Sequence, residues 1–488
     1  MKEMQIKSFE EGAAVSGDIL TGGKVRRRVR IGLLTCGYFE YWRMYPTLRE
    51  TVEKDLADVT ARVKALNCDV VESGMVDTLD SAARAGDTLA TAQVDAVLLV
   101  YGTYTADFIT LTALDKLADK PLMVFSVQAH EDIDRNGDYE SSLRNSGIIG
   151  VSQLTGTLRK MGREYTVVVG SKNDSRAYGK FAAQIRALQA VQDIKEANIG
   201  VIGHVFRGMY DIELSKTFFK RTFGANVIMI QSGHLMDAWR SVPESEVQTE
   251  ADALNTRFGR KHIGDDDVRN AVRLMLAMKR VSERFSLDAM CFLDQHYIQR
   301  QVRTSARIGA SLLMERTHMC VNCEGDLGGL VTMMLMKSVS GRNPLMGEWG
   351  EYDAATDGCF IIGHGIGTPD LAADEKDILL TRTPEEWGFD GAGCNYELIV
   401  RPGPATLAHV MEGPEGYRMI LSAVESLPFP KLAFDELHAL VRTPLPVKEY
   451  LEKLFAFGVS HHCILGLTDM TEELREVCRL LGVRCFSL

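Results

Sequence analysis

The sequence contains no run of about 18 apolar residues, which excludes a helix long enough to cross a membrane. Its N-terminal segment also lacks the apolar core of a signal peptide, so the chain is expected to stay in the cytoplasm. Basic surface is scarce: 66 Asp and Glu stand against 55 Lys and Arg, a formal net charge of −11. That balance argues against nucleic acid or an anionic membrane as a main partner, because phosphate groups need a basic face. Arg26-Arg27-Arg28 is the only notable basic cluster, and it reads as a solvated loop ahead of a strand. Ten cysteines among 488 residues make no disulfide framework, and the cytosol keeps them reduced. Cys320-Val-Asn-Cys323 has CxxC spacing, but no second CxxC and no thioredoxin-like context accompany it. Both cysteines read as small buried thiols. Gly200 and Gly203 lack GxGxxG spacing, which removes a nucleotide-loop reading. There is no short-period repeat and no low-complexity segment.

What is present is a globular composition, 45% hydrophobic and 25% charged, on a chain long enough for two or three domains. Continuous apolar runs over 29–36 (VRIGLLTC), 94–101 (VDAVLLVY) and 122–128 (LMVFSVQ), with DVVES at 69–73, are separated by helical patterns. Such runs indicate parallel strands covered on both faces. A second cycle starts near residue 164, with strands over 165–169, 199–205, 227–231 and 288–294 and helices over 176–191 and 268–285. Beyond a helix over 327–338 the pattern turns to short strands and turns: 359–363, 396–400, and a strand holding His461-His462 between helices 447–457 and 471–481. The expected fold is α/β: two doubly wound α/β domains, 1–172 and 173–324, followed by a β-rich C-terminal domain, 325–488.

The chemistry gathers in the last third. Glu324 lies in Cys-Glu-Gly-Asp, Glu348 in Gly-Glu-Trp-Gly-Glu-Tyr-Asp, His364 in Ile-Ile-Gly-His-Gly, and His461-His462 in Val-Ser-His-His-Cys. Each stands beside glycine or at the edge of an apolar stretch, where a side chain can project into a cleft. Two carboxylates with two imidazoles suit Mn²⁺, with Co²⁺ or Mg²⁺ as alternatives, and leave positions open for substrate oxygens. Taken singly, each has a plainer reading as a capping or hydrogen-bonded structural residue; the joint order and spacing is the signal. Adjacent histidines on a strand point to opposite faces, so at most one of His461 and His462 should reach a metal. His296 follows a strand and is a candidate for lining the cleft, His409 reads as structural, and Asp265-Asp266-Asp267 reads as the N-terminal cap of the next helix.

These segments resemble the L-arabinose isomerase and L-fucose isomerase superfamily of aldose–ketose isomerases. Asn322–Met333 (NCEGDLGGLVTM) is similar to the segment bearing the first metal carboxylate, Gly347–Asp353 to the second-carboxylate loop, Ile362-Gly363-His364 to the third-ligand strand, and Val459–Cys463 to the late Gly-x-x-His-His segment. The resemblance implies Glu324, Glu348, His364 and His462 as metal ligands, with both glutamates as the acid/base pair. It also implies a homo-oligomer, commonly a hexamer, with active sites at subunit interfaces. Polar residues at N-terminal strand ends, Tyr38, Gln128 and His130 among them, form a second site-facing surface. Glu348 follows the arabinose enzymes where fucose isomerases use aspartate, while the run after Cys323 is closer to the fucose side. The reaction class is therefore implied and the sugar left open, including one with an acidic substituent.

The residues fit that chemistry independently. Moving a carbonyl from C1 to C2 requires a base to take a proton from C2 and return one to C1, and charge on the enediol oxygen needs a Lewis acid. Two other classes compete: a non-catalytic sugar sensor, which would not need the metal residues and would normally carry an export signal, and a zinc hydrolase, whose catalytic site usually takes three protein ligands and a water.

Overall fold

The computed structural model describes residues 27–293, 295, 297–383, 393–433 and 435–488. Their contacts form two compact units, 27–189 and 190–488.

In the first unit five parallel strands, Arg30–Cys36, Asp69–Val76, Ala96–Tyr101, Leu122–Gln128 and Thr166–Ser171, make one sheet in the order second, first, third, fourth, fifth. Every residue of Ala96–Tyr101 is buried. A central parallel strand covered on both faces has no polar side, which is why its sequence is an unbroken apolar run. The edge strands Asp69–Val76 and Thr166–Ser171 alternate in burial instead. Among the covering helices, Leu79–Thr91 starts at Thr78, whose hydroxyl accepts from the Ser81 N–H while the Ser81 side chain returns to the Thr78 N–H.

The second unit holds a four-stranded parallel sheet ordered Cys320–Cys323, Ala289–Phe292, Asn198–Ile202, Asn226–Ile230. The helix Asp265–Phe285 begins three residues earlier than expected. Its first turn is the acidic triplet itself, and the Asp267 carboxylate reaches back to the Gly264 N–H at 3.2 Å. Negative charge at a helix N-terminus offsets the dipole and meets unpaired N–H groups.

The β-rich region is a mixed sheet ordered Gly403–Gly413, His462–Gly466, Leu345–Asp353, Gly358–Gly363, His438–Arg442, Gly416–Ser426, Arg484–Ser487. Gly403–Gly413 also pairs along its length with Gly416–Ser426, so the first six of these strands close into a ring. A closed ring leaves no unpaired edge among them. The sequence pattern does not reveal this long hairpin. Ala405 through Met411 are all buried, so the strand shows no two-residue alternation to reveal it.

Candidate active site

Glu324 directly follows the edge strand Cys320–Cys323 in a left-handed backbone conformation, φ +60°. A non-glycine residue there costs roughly 1–3 kcal/mol and persists only where its surroundings enforce it. Here they do. The Phe206 N–H donates to the Glu324 carbonyl at 3.0 Å, and Gly325 follows at φ +73°, where a Cβ would lie 2.7 Å from the His204 carbonyl oxygen. The turn aims the Glu324 carboxylate inward, and the Gln295 amide binds its Oε1.

Asp326 then caps the helix Leu327–Ser340, accepting from the Gly329 N–H at 2.8 Å with Oδ1. Its other oxygen lies 2.9 Å from His462 Nδ1 and 2.9 Å from His409 Nε2. One buried carboxylate thus caps the start of a helix and holds two imidazoles.

The ring of strands supplies the remaining groups. Glu348 pairs in register with His462 on one side and Ile362 on the other, and His364 follows directly on Gly358–Gly363. His364 Nε2 lies 3.4 Å from Glu324 Oε1 and 3.2 Å from Glu348 Oε1. His462 Nε2 lies 3.2 Å from Glu324 Oε2, and His461 Nε2 lies 3.9 Å from the same oxygen. Ligand-capable atoms of Glu324, Glu348, His461 and His462 all fall within 4.8 Å of one another.

Both members of the histidine pair therefore approach Glu324, against the expectation that only one would. The strand begins at His462, and His461 precedes it in a bend, so strand alternation does not separate the two rings. Their centroids are 4.0 Å apart. His461 Nδ1 is bound to Asp211 at 2.6 Å. Among the described residues, Glu324 Oε2, His461 Nε2 and His462 Nε2 are buried without a hydrogen-bond partner. Burying unpaired polar atoms is costly. Carboxylate oxygen and imidazole nitrogen facing a common space form a donor set that fits a divalent cation.

Electrostatics agree. Burial alone would raise the Glu324 carboxyl, but the neighbouring imidazoles outweigh it and hold it well below the usual range. Burial likewise opposes the lowering of Glu348, where His364 and His462 prevail, and of Asp326, where His409 and His462 do. Burial pushes the His461 imidazole down, yet Glu324 and Asp211 carry it up to about 9. Without an ion, the cluster holds its negative charge by drawing protons onto its histidines.

Of the sequence-derived candidates, Glu324, Glu348, His364 and His462 come together in the second unit. Tyr38, Gln128 and His130 lie in the first, at or just beyond the carboxyl ends of its strands. Tyr38 packs edge-on against Tyr104, and His130 Nε2 lies 3.5 Å from the Arg144 guanidinium. His296 lies outside the described residues. Cys320 and Cys323 are buried free thiols, and Cys323 Sγ sits 3.3 Å from His364 Nδ1. Sequence reasoning missed Asp326, Asp211, Arg307 and Glu436. Arg307 is fully buried, pairs with the fully buried Glu436 at 2.5 Å, and places its second amino group 3.2 Å from His364 Nδ1. A charged residue inside the apolar stretch Ala306-Arg-Ile-Gly-Ala310 was the available signal; Asp211 offered none.

No family model matches the chain. Among known proteins, it is 23% identical over 364 residues to sulfoquinovose isomerase of Alkalicoccus urumqiensis, covering 74% of this chain and 79% of that one. Sulfoquinovose isomerase of Priestia aryabhattai is 21% identical over 451 residues, covering 90% and 97%. L-Arabinose isomerase of Klebsiella pneumoniae subsp. pneumoniae is 22% identical over 387 residues, covering 75% of each chain.

Proposed function

The chain belongs to the arabinose isomerase-like superfamily of aldose–ketose isomerases, and from that premise we propose a divalent-metal-dependent enzyme, with Mn²⁺ the preferred ion. The observation that carries the metal reading is the set of orphaned buried atoms on Glu324, His461 and His462, turned toward one another beside Glu348. Glu324, Glu348 and His462, with a further imidazole from His364 or His461, would hold the ion. The chemistry such an ion supplies when bound is Lewis-acid stabilisation of the charge that develops on the enediol.

The chain's own residues move the protons. One carboxylate takes the C2 proton and returns it to C1, and the other carries the hydroxyl proton between the two oxygens. Glu348, with 27% of its side chain exposed against 4% for Glu324, has the freer approach to C2. Gln295 keeps Glu324 in place, and Asp326 fixes the His462 ring. The substrate we favour is an aldose whose far end carries an anionic group, on the strength of the sulfoquinovose isomerases among the relatives.

The working unit in this reading is a homo-oligomer, a hexamer, in which Tyr38, Gln128 and His130 of one subunit serve the metal centre of a neighbour. Mixing inactive Glu324→Gln subunits with inactive Gln128→Ala/His130→Ala subunits should restore partial activity. No recovery despite proven subunit exchange would mean that each subunit builds its site alone.

The deciding experiment is an assay of chelator-treated protein against aldopentoses, deoxyhexoses and sulfoquinovose, with and without Mn²⁺ or Co²⁺. Ketose should form only with added metal, and fastest from the sulfonated sugar. Ketose formation at full rate in metal-free protein would overturn metal dependence, and none from any sugar would overturn the isomerase reading.

A further inference from the structure

His409 reads in the sequence as a structural histidine, yet packing does not account for it. It lies buried on the strand Gly403–Gly413, and its one hydrogen-bonding partner among the described residues is Asp326, whose Oδ2 stands 2.9 Å from His409 Nε2. The other ring nitrogen, Nδ1, is buried with no partner among the described residues. Leaving a buried polar atom unpaired costs stability, and an apolar side chain would fill the same space without that cost. What the histidine provides in return is its contact with Asp326.

The Asp326 carboxylate is fully buried and held at both oxygens: Oδ1 accepts from the Gly329 N–H at 2.8 Å, and Oδ2 is shared by His409 Nε2 and His462 Nδ1, each at 2.9 Å. The helix cap alone would leave the carboxylate free to turn about its bond to Cβ. A ring anchored in a strand and bonded to the other oxygen stops that turn. The strands Gly403–Gly413 and His462–Gly466, which carry the two rings, pair with each other as far as Ala408 and Ile464. Two glycines at the start of the helix Leu327–Ser340 permit this approach: a Cβ on Gly328 would strike the Val410 carbonyl oxygen, and one on Gly329 would strike Asp326 Oδ2. The Val410 N–H, next to His409, donates to Thr332 Oγ1 at 2.9 Å and pins the strand to the helix.

Resting on the metal-dependent reading above, we infer that His409 is a positioning residue of the metal centre. Anchored in its strand, it fixes the Asp326 carboxylate, and Asp326 fixes the ring of His462, whose Nε2 faces Glu324. His409 ligates nothing itself. Its influence passes through a single carboxylate oxygen, so it exists only while Asp326 is present.

The test reads metal binding, by calorimetric titration of Mn²⁺ into chelator-treated protein that keeps the wild-type circular dichroism spectrum. His409→Leu and His409→Phe remove the hydrogen bond and keep an apolar filling, and each should weaken binding about tenfold or more. His409→Gln, whose amide can donate from nearly the same point, should stay within about threefold of wild type. Wild-type affinity in the Leu and Phe variants overturns the inference. So does a Gln variant as weak as they are, because the bulk of the ring and not its hydrogen bond would then matter. A double-variant cycle reads the route: His409→Leu combined with Asp326→Ala should bind Mn²⁺ no more weakly than Asp326→Ala alone, and additive losses overturn transmission through Asp326. The comparison of Leu, Phe and Gln decides the inference even where Asp326→Ala fails to fold. Wild-type protein that binds neither Mn²⁺ nor Co²⁺ overturns the metal reading and this inference with it, whereas a wild type that binds and a Leu variant that binds equally well overturn this inference alone.

Discussion

Glu348 and His462 stand directly opposite one another on adjacent antiparallel strands, with Glu348 Oε1 3.9 Å from His462 Nε2. Cross-strand partners leave a sheet on the same face, so register alone brings this carboxylate and this imidazole together. A one-residue slip would turn both away. The site therefore depends on the pairing of Leu345–Asp353 with its neighbours as much as on the residues themselves.

That dependence separates the two glutamates of the strand. Glu348→Gln and Glu324→Gln should each lower kcat by about two orders of magnitude or more while leaving the circular dichroism spectrum intact, since each removes charge and proton-transfer capacity together. Glu351 lies on the same strand, but it is exposed and outside the cluster. Glu351→Gln should retain near wild-type kcat; a loss matching that of Glu348→Gln would move the catalytic role along the strand.

Asp326 should be felt in binding and in stability at once. It accepts from the Gly329 N–H, from His462 and from His409. Asp326→Asn keeps the shape but offers fewer acceptors, and should weaken Mn²⁺ binding about 10- to 100-fold. Asn caps a helix about as well as Asp, so this variant keeps the cap; Asp326→Ala, which loses it, should add about 1 kcal/mol of destabilisation. Calorimetric titration and denaturant melts read the two effects separately, and wild-type Mn²⁺ affinity in Asp326→Asn would disprove the link from Asp326 to the ion.

The pH dependence has a definite sign. His461 is raised from 6.5 to about 9 in the metal-free protein, because Glu324 and Asp211 outweigh the opposing effect of burial. A histidine raised on folding stabilises the fold fully below about 6.5, and that contribution is lost as pH climbs through about 9. The Tm of chelated protein should fall across this window, less so in Asp211→Asn. In the metal-dependent reading, protons on the cluster's imidazoles compete with Mn²⁺, so the Tm increase caused by Mn²⁺ should grow with pH over the same range. A metal-induced increase that shrinks as pH rises would contradict that competition.

Isotope transfer tests the proton route. If a carboxyl group carries the proton from C2 to C1, it can exchange with solvent in transit, and some deuterium from D₂O should appear at C1 of the product. Complete retention of the substrate's own label in the ketose, by NMR, would favour a hydride shift and give the two carboxylates other work.

Much of this was legible in the sequence, and the reasons are local. Parallel strands such as Ala96–Tyr101 announce themselves because burial on both faces forces an unbroken apolar run. Helices Val447–Phe457 and Thr471–Leu481 fall where their patterns placed them. Glu324, Glu348 and His364 stood out beside glycines and His462 at the edge of an apolar stretch, where a polar side chain can project into a cleft. Only the tertiary structure decided what those groups do to one another. Asp326 reads in sequence as one more acid in a turn, yet folding brings His409 and His462, distant along the chain, onto a single oxygen. Strand alternation expected only one of His461 and His462 to turn inward, yet both approach Glu324 because the strand starts at His462. Arg307 and Asp211 meet their histidines only through long-range packing. Residue type and spacing along the chain determine which ligands are on offer. Which partner stands behind each ring, and so how each imidazole is held and charged, is supplied by the fold.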